Sequence, residues 1–308
     1  MTLTLIGHVP LPAHTGSGGF DHAAVHAATG HVYVAHTANS AIDVFDPATR
    51  KHLYSIPGLT AVAGALVNDD SELVFTSNRG ENTIGVFAPG PDPQVTKIAV
   101  GMRPNGLAYD ATRRLVLAAN VGDPEVPHSY TLSMVDLDTR ALRSSIEVAG
   151  RTRWTVFDAD AEVFYVNIMQ PSQIVVVDAR QPDRIARTMP IPADGAHGLD
   201  FDGATRRLFC ACDAGVLVTL DAGTGKVLNQ GKLSGVPDVV WFNPKRRQLY
   251  IAIGDPGVVD VFDTTTMKSI GSVATEKGAH TTAFPPSGEQ LIAFLPASHR
   301  AALYTIEK

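Results

Sequence analysis

The sequence predicts an all-β chain: a seven-bladed β-propeller of four-stranded blades, closed by the N-terminal strand completing the last blade. Three observations predict it. One segment recurs seven times, the copies lie about one blade apart, and no stretch carries sustained helical periodicity. GMRPNGLAYDATRRLVLAAN (101–120) aligns with GAHGLDFDGATRRLFCAC (195–212), GVPDVVWFNPKRRQLYIAI (235–253) and GAHTTAFPPSGEQLIAFL (278–295). The segments 18–36, 60–78 and 151–167 fit the same frame, the last with one residue deleted. The equivalent positions are Asp21, Ala63, Asn105, Arg153, His197, Asp238 and His280, and their successive spacings of 42, 42, 48, 44, 41 and 42 match the length of a propeller blade.

The blades begin at about 20, 62, 104, 152, 196, 237 and 279, in one domain spanning 1–308. Blade 3 shows the internal order. Strand A is 105–109, strand B follows the turn DATR as 114–120, strand C is 130–136 and strand D is 141–148. β-branched and aromatic residues fill these runs, and Gly, Pro, Asp and Asn separate them. The C–D turns recur as DPATRK, DLDTR, DAGTGK and DTTTMK, where Asp can bond its own backbone. After strand B of blade 7 only RAALYTIEK remains, enough for strand C. Residues 2–9 resemble a D strand and are expected to complete that blade, removing an exposed sheet edge.

The repeat unit resembles that of YVTN-repeat propellers. RPNGLAYDATRRLVLAAN, HVYVAH, LVFTSN and VFYVN, followed by AIDVFD, LSMVDLD and VVVDA, carry the likeness over essentially the whole chain. Relatives of that kind include surface proteins, scaffolds and lactonase-like enzymes, so the resemblance implies a fold and leaves function to the site. Calcium-dependent lactonase propellers hold their ion with Glu, Asn and Asp. The two histidines here imply a softer ion such as zinc, or none.

Composition narrows the partners. With 25 Lys+Arg against 31 Asp+Glu and a net charge of −6, the chain lacks the basic surface that nucleic acid requires. It has no apolar run long enough to span a membrane. The N-terminus has no basic or apolar leader pattern, and Cys210 and Cys212, two apart in a strand, read as reduced thiols. These features predict a cytoplasmic monomer whose partner is a small molecule, with a protein partner as the alternative.

Strand A lines a propeller's channel, so the seven equivalent positions form a ring at its mouth. Asp21, His197, Asp238 and His280 have the donor chemistry of a divalent metal site. Arg153 and Asn105 would orient an oxygen-rich or anionic substrate. The expected activity is that of a lactonase-like hydrolase or lyase, with His197, His280, Asp21 and His36 as catalytic candidates. The alternatives are a non-catalytic interaction scaffold and a metal-binding protein without turnover. Polar groups at a wet channel mouth also occur with no role beyond bonding neighbouring backbone. A pairing offset of 15 would set Asp21 against His36, Asn105 against Asn120 and His197 against Cys212. That offset makes His36 an oriented base, and Asn120 and Cys212 substrate contacts. The same Cys212 also reads as a small core filler. Two long loops, 10–19 and 121–129, fall on this face, and their His14 and His128 are placed to close over the mouth. His22 is expected on a blade's other face and Trp154 between blades, while Trp241 reads as core.

Overall fold

The computed structural model describes residues 3–307. These form seven antiparallel four-stranded sheets, each ordered A–B–C–D from its innermost strand outward. The inner strands are Phe20–Val25, Val62–Asn68, Pro104–Asp110, Thr152–Asp158, Ala196–Asp202, Pro237–Asn243 and the short Thr282–Ala283. The single helical turn among the described residues is the 3-10 segment Thr37–Asn39.

Seven apolar clusters hold the ring, and each draws on two neighbouring blades. Val175 and Leu117 share the cluster between blades 4 and 3, and Tyr33 and Val62 that between blades 1 and 2. The closing cluster joins Val9, Ile292 and Phe294 of blade 7 to Phe20 and Val34 of blade 1. Blade 7 is completed as the sequence predicts: Leu3–Pro10 pairs with Arg300–Ile306 from Leu3 against Ile306 to Pro10 against Arg300. Position 2, expected in that strand, lies outside the described residues. The inner strands approach closely, and small residues permit it. A Cβ added at Gly198 would lie 2.1 Å from the carbonyl oxygen of Asp238 on the next blade.

The C–D turns hold as their sequences predict. Asp46, Asp136, Asp221 and Asp263 each accept a backbone N–H and the hydroxyl of Thr49, Thr139, Thr224 and Thr266. All four carboxyls sit below their usual range. Backbone N–H donation leads at Asp136 and Asp263, and the Thr224 hydroxyl leads at Asp221. At Asp46 burial works the other way and is outweighed by donors from Thr49 and Ala48. A depressed folded pKa stabilises the fold above the ordinary carboxylate value and ceases to do so as pH falls through the folded one. The melting temperature should therefore drop steeply below about pH 4. Replacing Asp136 and Asp263 by Asn should flatten that drop, and an unchanged slope between about pH 5 and pH 2 would contradict the assignment.

Candidate functional site

A recurrent backbone irregularity builds the site. In blades 1 to 6 the A–B ladder slips at the ring position: between Phe20 and Ala23, Val62 and Gly64, Pro104 and Leu107, Thr152 and Thr155, Ala196 and Gly198, and Pro237 and Val240. The ring residue sits inside each bulge, where the ladder does not fix its direction. Asp21, Asn105, Arg153, His197, Asp238 and His280 consequently line one cavity of about 120 Å³, together with His22, Arg79, Arg151 and Trp154.

The same bulge corrects the expected pairing. Beyond the slip, His36 opposes Phe20, Asn120 opposes Pro104 and Cys212 opposes Ala196. One residue of slip turns a side chain to the other face of the sheet. His36 is buried, with Nδ1 2.6 Å from Asp43 Oδ2 and Nε2 2.6 Å from His14 Nδ1, so its carboxylate partner is Asp43 and not Asp21. Asn120 is buried and donates to Thr131 Oγ1 and Ser133 Oγ. Cys212 lies buried with its Sγ 3.8 Å from that of Cys210, and it is its neighbour Asp213 that meets the His197 ring. The hydrogen bond to Cys212, added to burial, pushes the Cys210 thiol well above its usual value, so that thiol stays protonated at neutral pH.

Two further expectations change. His22 points into the channel instead of away from it, 4.1 Å from the Trp154 ring. Trp154 packs between blades 4 and 5 and Trp241 against the cluster of blades 6 and 7, as expected, and both also line the channel. Neither long loop covers the mouth. His14 is wedged among Phe20, His36 and His299, at 5.1, 4.8 and 4.4 Å between ring centroids. His128 turns outward to Glu147 Oε1 at 2.8 Å.

Within the mouth, the charges pair. Arg79 Nη2 reaches Asp21 Oδ2 at 3.3 Å and donates to Asn105 Oδ1 at 2.8 Å. Arg153 Nη2 lies 3.6 Å from Asp213 Oδ2. His197 bridges two carboxylates, with Nδ1 2.7 Å from Asp213 and Nε2 3.3 Å from Asp238. Burial pulls the His197 pKa down, but Asp238 and the bonds to both carboxylates outweigh it and hold the ring at about 9. Asp238 shifts the opposite way: burial would raise it, and His197, His280 and His22 drive it well below the usual carboxylate range. At neutral pH His197 is therefore a cation with both N–H groups donated. Arg151 makes no ion pair among the described residues, and burial followed by the nearby Arg153, Arg79 and Arg103 lowers its pKa. His280 is 40% exposed, donates Nδ1–H to Gly278 O at 2.8 Å and leaves Nε2 4.0 Å from Asp238 Oδ2.

This donor set does not suit a resident cation. The doubly bonded His197 offers no lone pair, and three guanidinium groups line the same cavity. Among the described residues, no group of three or more His, Cys, Asp or Glu side chains is placed to hold a metal ion.

Sequence reading overlooked Arg79, Arg151 and Asp213. Arg79 and Asp213 each follow their ring position by sixteen residues, one step past strand B. Scanning that second position of the repeat would have found both.

No family model matches the sequence, and no curated protein matches it. Solved structures do resemble it. A chain of the hydrazine synthase of Kuenenia stuttgartiensis superimposes with a TM-score of 0.81 at 13% identity, covering 96% of this chain and 98% of that one. A chain from the crystal structure of the mitotic checkpoint complex gives 0.83 at 10% identity, covering 100% and 93%. At such identities the likeness shows the seven-bladed propeller alone. No helix among the described residues is long and apolar enough to cross a membrane.

Proposed function

We infer that the channel mouth binds a small anion, a carboxylate or phosphate compound. One observation carries this reading: Arg79, Arg151, Arg153 and the protonated His197 converge on one small cavity of a protein whose net charge is −6. Arg151 makes no ion pair among the described residues, and with Arg79, Arg153 and His197 it sets four cations against the carboxylates of Asp21, Asp213 and Asp238, so the mouth holds a surplus cation. Asn105 already accepts from Arg79, which leaves its amide N–H groups to donate to the ligand.

The catalytic form of this reading follows from the YVTN-repeat, lactonase-like resemblance, which rests on the repeat residues alone. In it His280 is the general base. Its Nδ1–H is anchored on a carbonyl, and its Nε2 faces the cavity to take a proton from water attacking an ester or lactone carbonyl. His197, already protonated, orients and does not abstract.

Calorimetric titration with inorganic phosphate, succinate and citrate tests the reading. Saturable binding that weakens as salt rises is the expected result. The absence of heat with every anion, coupled with stoichiometric uptake of zinc, would replace it with the metal-site reading.

A further inference from the structure

Below the mouth, the central channel widens into a second cavity of about 260 Å³. His22 and Trp154 line both spaces and separate them. Phe157 and Asn68, half-exposed at the far ends of their strands, mark its opening on the opposite face of the disc. Its walls are mostly apolar, yet five groups do not fit an inert filling.

Trp154 and Trp241 stand at 90° to each other, 6.3 Å between ring centroids, with Tyr109 and Phe157 also on the wall. Two indoles at right angles present π-faces from two directions. Asp200 contributes a carboxyl group to the same space. It accepts the backbone N–H of Phe201 at 2.7 Å and of Phe242 at 2.6 Å. Among the described residues it has no Lys, Arg or His within ion-pair distance, and the one charge that acts on it is the like-signed Asp202. Burial pushes it up to about 7, with only the two backbone donors opposing. The hydroxyls of Tyr109 and Thr155, both buried, have no hydrogen-bond partner among the described residues. Buried carboxyl and hydroxyl groups ordinarily find partners.

We propose that this channel is a binding site for a small organic ammonium ion, its cationic head caged by Trp154 and Trp241 and paired with Asp200, its polar substituent meeting Tyr109 and Thr155. The cage supplies attraction that an uncharged molecule of equal shape would not feel, and the ammonium supplies the counter-ion that Asp200 lacks. The site is independent of the anion reading of the mouth.

The two tryptophans are the protein's only ones, so intrinsic fluorescence reports the cavity directly. The probe is choline, compared with its uncharged isostere dimethylbutanol. Choline should shift the emission saturably and bind at least roughly tenfold tighter than the isostere. Asp200→Asn should remove most of that difference. Trp241→Leu, which leaves the mouth untouched, should weaken choline by a similar factor, read by calorimetry on protein whose melting profile stays cooperative. Equal affinity for choline and dimethylbutanol, no effect of Asp200→Asn, or no saturable binding of choline would each overturn the proposal.

Discussion

A chain lacking residues 1–10 should lose cooperative folding and aggregate. The strand Leu3–Pro10 is the outer member of blade 7, and it is paired along its length with the last strand of the chain. Leu3 and Val9 are buried, and Val9 belongs to the cluster that joins blade 7 to blade 1. Each such side chain stabilises by about 1.5–3 kcal/mol. With the lost ladder, the deficit reaches roughly 5 kcal/mol, a large part of a domain's usual 5–15. For a chain of this size that is a fall of roughly 8 °C in melting temperature, before the bared edge adds aggregation. The truncation also bares the edge of Arg300–Ile306, an open template for intermolecular pairing. Val9→Asp should mimic the truncation. Leu5→Lys, on the exposed side of the same strand, should change stability by no more than about 0.5 kcal/mol. A truncated chain that melts like the parent and stays monodisperse would show that the ring does not depend on this strand.

Closure was readable in the sequence because it is a matter of counting. Seven copies each about one blade apart, with a final copy one strand short and a spare strand at the start, have one economical arrangement. The convergence of Asp21, Asn105, Arg153, His197, Asp238 and His280 was readable for the same reason, since equivalent repeat positions must face a common axis. Pairing across the ladder was not readable. Alternation with period two assumes an unbroken ladder, and the inner strands of blades 1 to 6 break it at the ring. The extra residue set His36 against Phe20 and directed His22 and Trp154 inward. The hydrophobic pattern gave no warning, because the bulged pairs mix aromatic, small and polar residues. Loop placement failed for a different reason: nothing local in 10–19 announces that His14 will be wedged against His36 and His299.

These bulges also explain why the mouth carries a concentrated charge that composition conceals. A protein with a net charge of −6 gathers three guanidinium groups and a protonated imidazole around one opening, and spends Asp21, Asp213 and Asp238 on holding them in place. Removing two of the guanidinium groups therefore has the largest expected effect on binding. Arg79→Ala with Arg153→Ala should weaken phosphate or citrate by roughly a hundredfold or more, from two charge-assisted contacts at about 1.5–3 kcal/mol each. Arg153→Lys should recover only part of this, because an ammonium lacks the planar fork that grips two oxygens. Asp21→Asn should leave affinity equal or improved, since it removes negative charge from the cavity while Asn105 still anchors Arg79. The pH profile separates a binding role from a merely structural one. His197 has a raised pKa, so its contribution is complete below about pH 6.5 and is lost as pH rises through about 9. Anion affinity should fall across that window in the parent and fall much less in His197→Gln. Unchanged affinity in the double arginine variant would place the anion elsewhere on the disc.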